Sequence, residues 1–247
     1  MSFANKVVLI TGGSAGIGAA TAELFAKQGA SVAIIGRNEA KLNAVAKRCK
    51  ELGAATLAIK ADISKDQDAD TIVKKTIDEF GKLDVLVNNA GILRAAGILD
   101  DNFLETYDEV MNINMRGLVR ITRFAVLHLI ETKGNIVNIS SIAGTSTSRP
   151  SFSSYRTSKA ALNHFTRCVA LELASYGVRV NSISPGPVRT YIFDAFDLDE
   201  EKLSEHTALQ RISEPHEIAD LILYVASDKA KSITGSNYII DNGSMLV

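Results

Sequence analysis

The chain has 247 residues, 46% of them hydrophobic and 22% charged, enough apolar side chain for a sizeable core in a soluble globular protein. A formal net charge of −1 excludes the global basic field that draws nucleic acid or an anionic membrane surface. The two cysteines, Cys49 and Cys168, stand far apart in helical patterns, which excludes a disulfide framework and leaves both expected as reduced core thiols.

No apolar run approaches the roughly 18 residues of a membrane span. The first run, Val7 to Ile10, is too short for a signal-peptide core, so a cytoplasmic protein is expected. Lys6 to Ile10 is β-branched and apolar, which predicts a strand. It breaks at Gly12, Gly13, Gly16 and Gly18, and helical periodicity follows from Ala19 to Gln28. Strand, glycine turn, helix is the order in which backbone N–H groups can meet a pyrophosphate, although a glycine turn can equally be a plain tight connection. Ser31 to Ile35 predicts a second strand. Where an acid would select NAD, Gly36 stands, followed by Arg37; a guanidinium suits the 2′-phosphate of NADP, unless Arg37 is an ordinary loop cation.

Asn38 to Leu52 predicts an amphipathic helix, Thr56 to Lys60 a strand, and Asp66 to Phe80 a helix stopped by Gly81. Leu83 to Val87 predicts a strand that ends in Asn88-Asn89-Ala90-Gly91. This alternation predicts an α/β fold: a doubly wound parallel sheet with helices on both faces, in one domain over 1–247. Right-handed crossovers then gather the carboxyl-end loops of the strands along one edge, where ligands bind.

Asn102 to Ile130 reads as a long helix or a pair of helices. Asn114 sits there among apolar residues, so its amide needs partners. Asn135 to Ile139 predicts a fifth strand, ending in Ser140-Ser141. The helix from Ser153 to about Tyr176 carries Tyr155 and Lys159, four apart and therefore on one face, one turn apart. A tyrosine with its ordinary pKa of about 10 is a poor base at neutral pH. An adjacent ammonium is expected to favour phenolate and bring the group toward the range of a general acid/base. Taken alone, the pair could also be an interfacial tyrosine and a solvated lysine.

Val178 to Ser184 predicts a sixth strand, leading into Pro185-Gly186-Pro187-Val188-Arg189-Thr190. Residues 191–212, with Tyr191, Phe193, Phe196 and an acidic run, are expected to form a lid over a substrate pocket. Pro215 to Ala226 predicts a helix and Asn237 to Ile240 a last strand. His216-Glu217 lacks a second histidine, with Asp220 in its place, so no metal site is expected; His128, His164 and His206 read as structural.

Together, Thr11-x-x-x-x-Gly16-x-Gly18, Asn88-Asn89-Ala90-Gly91, Ser141, Tyr155-x-x-x-Lys159 and Pro185-Gly186 resemble the short-chain dehydrogenase/reductase family, over nearly the whole chain. The resemblance implies a single-domain Rossmann-type sheet of about seven strands and an NADP(H) cofactor. Gly12, Gly16, Ile17 and Gly18 would line the pyrophosphate. Arg37 would hold the 2′-phosphate with help from Ser14 and Asn38. Asp62 and Ile63 would border the adenine, and Asn88, Ala90 and Gly91 the adjoining ribose. Pro185, Gly186, Val188 and Thr190 would border the nicotinamide.

The implied catalytic set is Asn114, Ser141, Tyr155 and Lys159. Ser141 and Tyr155 would touch the substrate oxygen, and Tyr155 and Lys159 also the cofactor. Ser141 matches the family pattern better than Ser140, and neighbours on a strand face opposite ways. Arg94, Phe152, Tyr191 and Phe193 would line a mostly apolar substrate pocket. It suits a ketone or secondary alcohol, bulky and apolar like a steroid or ecdysteroid, or else a 3-oxoacyl thioester. A non-catalytic NADP-binding sensor or scaffold is a further alternative. The family also implies a homo-oligomer, expected as a tetramer. One departure is visible: the family ending Asp-Gly-Gly is Asp241-Asn242-Gly243 here.

Overall fold

The structure, a computed structural model, describes residues 2–147, 150–190, 192 and 200–247, with Glu200 described by its backbone alone. Short apolar runs bounded by turns form strands, and the amphipathic segments between them form helices. In chain order these are β1 (Val7–Thr11), α1 (Gly16–Lys27), β2 (Ser31–Gly36), α2 (Glu39–Glu51), β3 (Thr56–Lys60), α3 (Asp66–Phe80), β4 (Val85–Asn88), α4 (Phe103–Met111) and α5 (Leu118–Thr132). There follow β5 (Asn135–Ile139), α6 (Ser153–Leu173), β6 (Arg179–Pro185), α7 (Glu200–Glu205), α8 (Pro215–Ala226) and β7 (Asn237–Ile240).

The seven strands form one sheet in the order β3-β2-β1-β4-β5-β6-β7, and every neighbouring pair is parallel. Such a sheet is covered on both faces, which is why β1 is buried throughout and reads as an unbroken apolar run. Alternate side chains serve opposite layers. Val8 and Ile10 pack with Phe25 of α1, Leu42 of α2 and Ile222 of α8. Val7 and Leu9 pack with Ile72 of α3, Ile121 and Leu129 of α5, and Val169 of α6. The strand order reverses at β1, between β2 and β4. Loops leaving β1 and β4 part there and open a crevice at the carboxyl edge.

Four strands run one residue beyond their apolar patterns, to Thr11, Gly36, Asn88 and Pro185. Each extra residue still pairs in register: Thr11 with Ile35, Gly36 with Lys60, Asn88 with Asn138, and Pro185 with Ile240. Backbone pairing continues where side chains turn polar or small, and those ends form the rim of the crevice. Between α4 and α5 the chain stays helical but widens into a π turn, Asn112–Gly117, so the two helices are one interrupted rod. A Cβ on Gly117 would lie 2.5 Å from the Ile63 carbonyl oxygen, so only glycine lets this turn press against the end of β3. Arg116 and Arg120 then clasp Asp66 and Asp70 of α3.

Cys49 is buried in α2, but Cys168 is exposed, contrary to the core reading. It lies off the buried period of α6, which runs through Leu162, Thr166, Val169 and Leu173. Among the described residues, no helix is long and apolar enough to cross a membrane.

Candidate active site

At the end of β1 the chain turns through the glycine segment into α1. Gly16 has φ +52°, a left-handed conformation that L side chains rarely adopt, and the Thr190 methyl faces it from across the crevice. A Cβ on Gly18 would collide with the Gly12 carbonyl oxygen, so the helix can start this close to the strand only with glycine there. The first turn of α1 contains no acidic residue, leaving its N-terminal dipole open to an anion. Asn89 secures the turn: its Nδ2 donates to the carbonyls of Thr11 and Gly12, and Thr11 Oγ1 accepts the N–H groups of Asn89 and Ala90.

A cleft of about 970 Å³ follows from there, lined at one end by Arg37 and Gly16, centrally by Ser141, Tyr155 and Lys159, and at the other end by Leu203 and Met245. Ile17, Gly12, Ala90, Gly91, Pro185, Gly186, Val188 and Thr190 line it as well. In the centre, Ser141 follows β5 in an extended conformation and its Oγ accepts the Ala143 N–H at 3.1 Å. Its hydroxyl also lies close enough to that of Tyr155 to pull the phenol toward ionisation. Ser140 is turned the other way and donates to the Lys159 carbonyl. Lys159, only 5% exposed, donates from Nζ to the Ile139 carbonyl at 2.9 Å and stands 5.6 Å from the centroid of the Tyr155 ring.

Asn114 occupies the π turn, 1% exposed. Its Oδ1 accepts the Ile92 N–H, and its Nδ2 donates to the Ile92 carbonyl and to Ser158 Oγ. Ser158 in turn donates to the Tyr155 carbonyl, so Asn114 is wired to α6 through a hydroxyl to which no sequence signal points. A Cβ on Gly91 would lie 3.3 Å from Asn114 Oδ1 and 3.6 Å from Lys159 Nζ, which measures how closely these elements converge.

The family model described as enoyl-(acyl carrier protein) reductase matches residues 12–245. The chain is 38% identical to the glucose 1-dehydrogenase of Gluconobacter oxydans, over 99% of this chain and 93% of that one. A short chain dehydrogenase from Burkholderia cenocepacia in complex with NADP superposes with a TM-score of 0.94 at 34% identity, covering 99% of this chain and all of that one. The chain belongs to the short-chain dehydrogenase/reductase family. The 3-ketoacyl-(acyl-carrier-protein) reductase of Brucella melitensis, complexed with NADH, superposes with a TM-score of 0.89 at 33% identity, over 98% of this chain and 99% of that one. As a short-chain dehydrogenase/reductase the protein is an oxidoreductase of alcohol and carbonyl groups that binds a nicotinamide cofactor. Its glycine cradle, acid-free helix start and continuous cleft fit a dinucleotide.

Several sequence-based expectations need correction. Asn88 does not face the cleft of this short-chain dehydrogenase/reductase. It is 1% exposed, with its Nδ2 donating to Thr122 Oγ1 and Asn138 Oδ1, and Asn89 beside it lines the cleft instead. Asp62 and Ile63 lie off the lining. Ile63 packs in the core, and Asp62 Oδ1 accepts the N–H and hydroxyl of Ser64. Burial opposes its charge, yet those bonds and the nearby Arg37 hold its carboxyl below its ordinary value. Asn38 caps α2 by accepting the Lys41 N–H, which leaves its Nδ2 as the donor that could reach a phosphate. Ser14 sits behind Gly36, its Oγ 2.9 Å from where a Cβ would stand.

The expected acidification of Tyr155 by Lys159 is not what the fold produces. Burial pushes the phenol above its ordinary value, with the Ser141 hydroxyl pulling the other way. Burial also lowers the lysine, to about 8. Spacing places the groups on one face but says nothing of desolvation, and desolvation disfavours both charges.

Of the residues expected to line a substrate pocket, Arg94 and Phe152 line the cleft, as do Leu93, Ile142, Pro187 and Ile192. Tyr191, Phe193 and Phe196 lie outside the described residues. Arg94 is held in a two-pronged pair with Glu109, both bonds at 2.9 Å. His206, expected to be structural, lines the cleft, and so do Arg156 and the late residues Ser244, Met245 and Val247. The alternation of short polar residues around Arg156 gave no signal, and the last segment reaches the cleft only through the fold. Glu217 is occupied by Arg211 and by the capping box of α8, and no metal-binding group of His, Cys, Asp or Glu occurs among the described residues.

Proposed function

We propose that the protein transfers hydride between NADP(H) and a ketone or secondary alcohol, working as an oxidoreductase with Tyr155 as the proton-handling group. The observation that carries this reading is the meeting of the Ser141 hydroxyl, the Tyr155 hydroxyl and the buried Lys159 ammonium in a cleft that continues to the glycine turn. Gly12, Gly16, Ile17 and Gly18 would hold the pyrophosphate, and Pro185, Gly186, Val188 and Thr190 would border the nicotinamide. When bound, the reduced cofactor supplies the hydride. Ser141, its oxygen fixed by the Ala143 N–H, directs its proton to the place where a carbonyl oxygen gains charge. Tyr155, held protonated by burial, is poised to donate in the reducing direction. Lys159 supports the phenolate that results, and Asn114 fixes the start of α6 through Ser158. Retention of both Tyr155 and Lys159 disfavours a non-catalytic sensor or scaffold.

NADP(H) over NAD(H) is supported by the absence of an acid at Gly36, where any Cβ would crowd Ser14 Oγ at 2.9 Å, and by Arg37 at the cleft end. A charge-assisted hydrogen bond of this kind is worth about 1.5–3 kcal/mol, so Arg37→Met is expected to weaken NADPH binding by about 10- to 150-fold. NADH binding, followed by the same fluorescence titration, should barely change; an equal loss for both cofactors would contradict the assignment.

For the substrate, the apolar stretch of Leu93, Ile142, Phe152, Ile192 and Leu203 supports a bulky apolar carbonyl such as a steroid or ecdysteroid. The second reading, a 3-oxoacyl thioester, draws on the likeness to the Brucella melitensis enzyme and on Arg94 at the rim, although Glu109 neutralises that cation. Turnover of matched ketones and thioesters with NADPH, followed by cofactor absorbance, decides between them. The chain is read as one catalytic unit of the cytoplasm; the expected lid, residues 191–212, lies in part outside the described residues. Leu104, Leu127 and Leu171 are exposed on α4, α5 and α6, which supports pairing of these helices into a homotetramer. Sedimentation equilibrium is expected to give four chains per particle, and a monomer would exclude the assembly.

A further inference from the structure

The residue that departs from the family ending, Asn242, has φ +52°, a left-handed conformation in which glycine is at ease and asparagine is tolerated. Its backbone therefore gives no reason for a side chain. The side chain has a definite partner: Asn242 Nδ2 donates to Ser213 Oγ at 2.9 Å, and the Asn242 carbonyl accepts the Leu209 N–H at 3.1 Å. Ser213 is 2% exposed, and its backbone clasps the segment after β6. Its N–H donates to the Pro187 carbonyl at 3.0 Å, and its carbonyl accepts the Arg189 N–H at 2.9 Å.

Three pieces of the cleft wall thus meet at Ser213, which the Asn242 amide holds. Pro187, Val188 and Thr190 belong to the first, while Leu203 and His206 lead into the second, whose turn is tied by Thr207 Oγ1 accepting the Arg211 N–H. Ser244 and Met245 form the third and leave directly from the Asn242–Gly243 turn. We infer that Asn242 is a positioning residue: its amide pins the turn after β7 to Ser213, whose backbone in turn holds the 187–190 segment, and so it sets the substrate wall of the cleft; this rests on the functional reading above.

The test compares Asn242→Gly, which suits the turn and deletes the amide, with Asn242→Asp, which tolerates the turn and can accept from the Ser213 hydroxyl. Hydrogen exchange followed by mass spectrometry needs no substrate. Asn242→Gly is expected to speed exchange in peptides covering 187–190 and 207–213 while the rest of the sheet keeps its protection. With a ketone that the parent protein reduces, KM is expected to rise about fivefold and kcat to change less than about twofold, the scale of one neutral hydrogen bond. Asn242→Asp is expected to restore both readouts, and Ser213→Ala to reproduce Asn242→Gly with no further loss in the double variant. Unchanged exchange in those two segments overturns the inference, as does a loss of protection spread over the whole fold. Faster local exchange with an unchanged KM overturns it too. If the parent protein reduces no ketone, the functional reading fails while the exchange result still decides whether Asn242 couples the segments.

Discussion

Tyr155→Phe is expected to lower ketone reduction by about 10²–10⁴-fold, the usual contribution of a positioned acid/base, while leaving the fold and cofactor binding intact. The substitution removes one oxygen from a ring that already packs in a half-buried position on α6, so no cavity forms. What is lost is the hydroxyl that burial keeps protonated beside Ser141, the proton donor of the proposed reaction. Steady-state kinetics with NADPH, beside a fluorescence titration of cofactor binding, separates the two effects. Turnover within about threefold of the parent protein would remove Tyr155 from the chemistry, since such a change is under 1 kcal/mol of barrier.

Lys159→Met is expected to abolish turnover to a similar degree and also to change how stability depends on pH. Unfolded, the lysine ionises at its ordinary value of 10.5; in the fold, burial brings it to about 8. Below pH 8 both states carry the proton, so the full cost of burying the ammonium is present. Between the two values the unfolded chain binds more protons than the folded one, so stability rises with pH across that window. For the parent protein the gain from this group between pH 8 and 9.5 is about 2 kcal/mol, at 1.36 kcal/mol per unit. The methionine variant lacks that gain. It also leaves the Ile139 carbonyl without its donor, at a cost of about 1–3 kcal/mol that does not vary with pH. Urea unfolding of both proteins in the absence of cofactor, at several pH values from 7 to 9.5, is expected to show the difference shifting steadily toward the parent. A difference flat with pH would mean that Lys159 is not desolvated in the free protein.

The fold was readable because its signals are local. Val7 to Ile10 followed by glycines, and the repeat of strand and helix after it, need no knowledge of distant contacts. Tyr155 and Lys159 share a face by helix geometry alone, and Gly36 before Arg37 is a statement about two neighbours. What the sequence withheld depends on which way a strand end turns and on what packs from afar. Asn88 and Asn89 are chemically identical in the sequence, yet pleating sends the first into an amide contact with Asn138 and the second to the glycine turn. His206, Arg156 and Met245 reach the cleft from elements whose meeting is decided by tertiary packing. The sign of the tyrosine shift was misread for the same reason: a four-residue spacing fixes proximity, while burial fixes which charge survives. Ser158 was hidden between two conspicuous residues and is identified only by its bonds to Asn114 and Tyr155.

The central claim is that one cleft brings a hydride and the Tyr155 proton to the same carbonyl. Its most direct test is to supply NADPH deuterated at the transferred position with a panel of aliphatic, steroidal and 3-oxoacyl thioester ketones, and to weigh the alcohol products by mass spectrometry. One deuterium per alcohol is expected in every product the parent protein forms, and Tyr155→Phe is expected to form that labelled alcohol about 10²–10⁴-fold more slowly. Products without deuterium, or labelled alcohol formed at the same rate by both proteins, would contradict the claim.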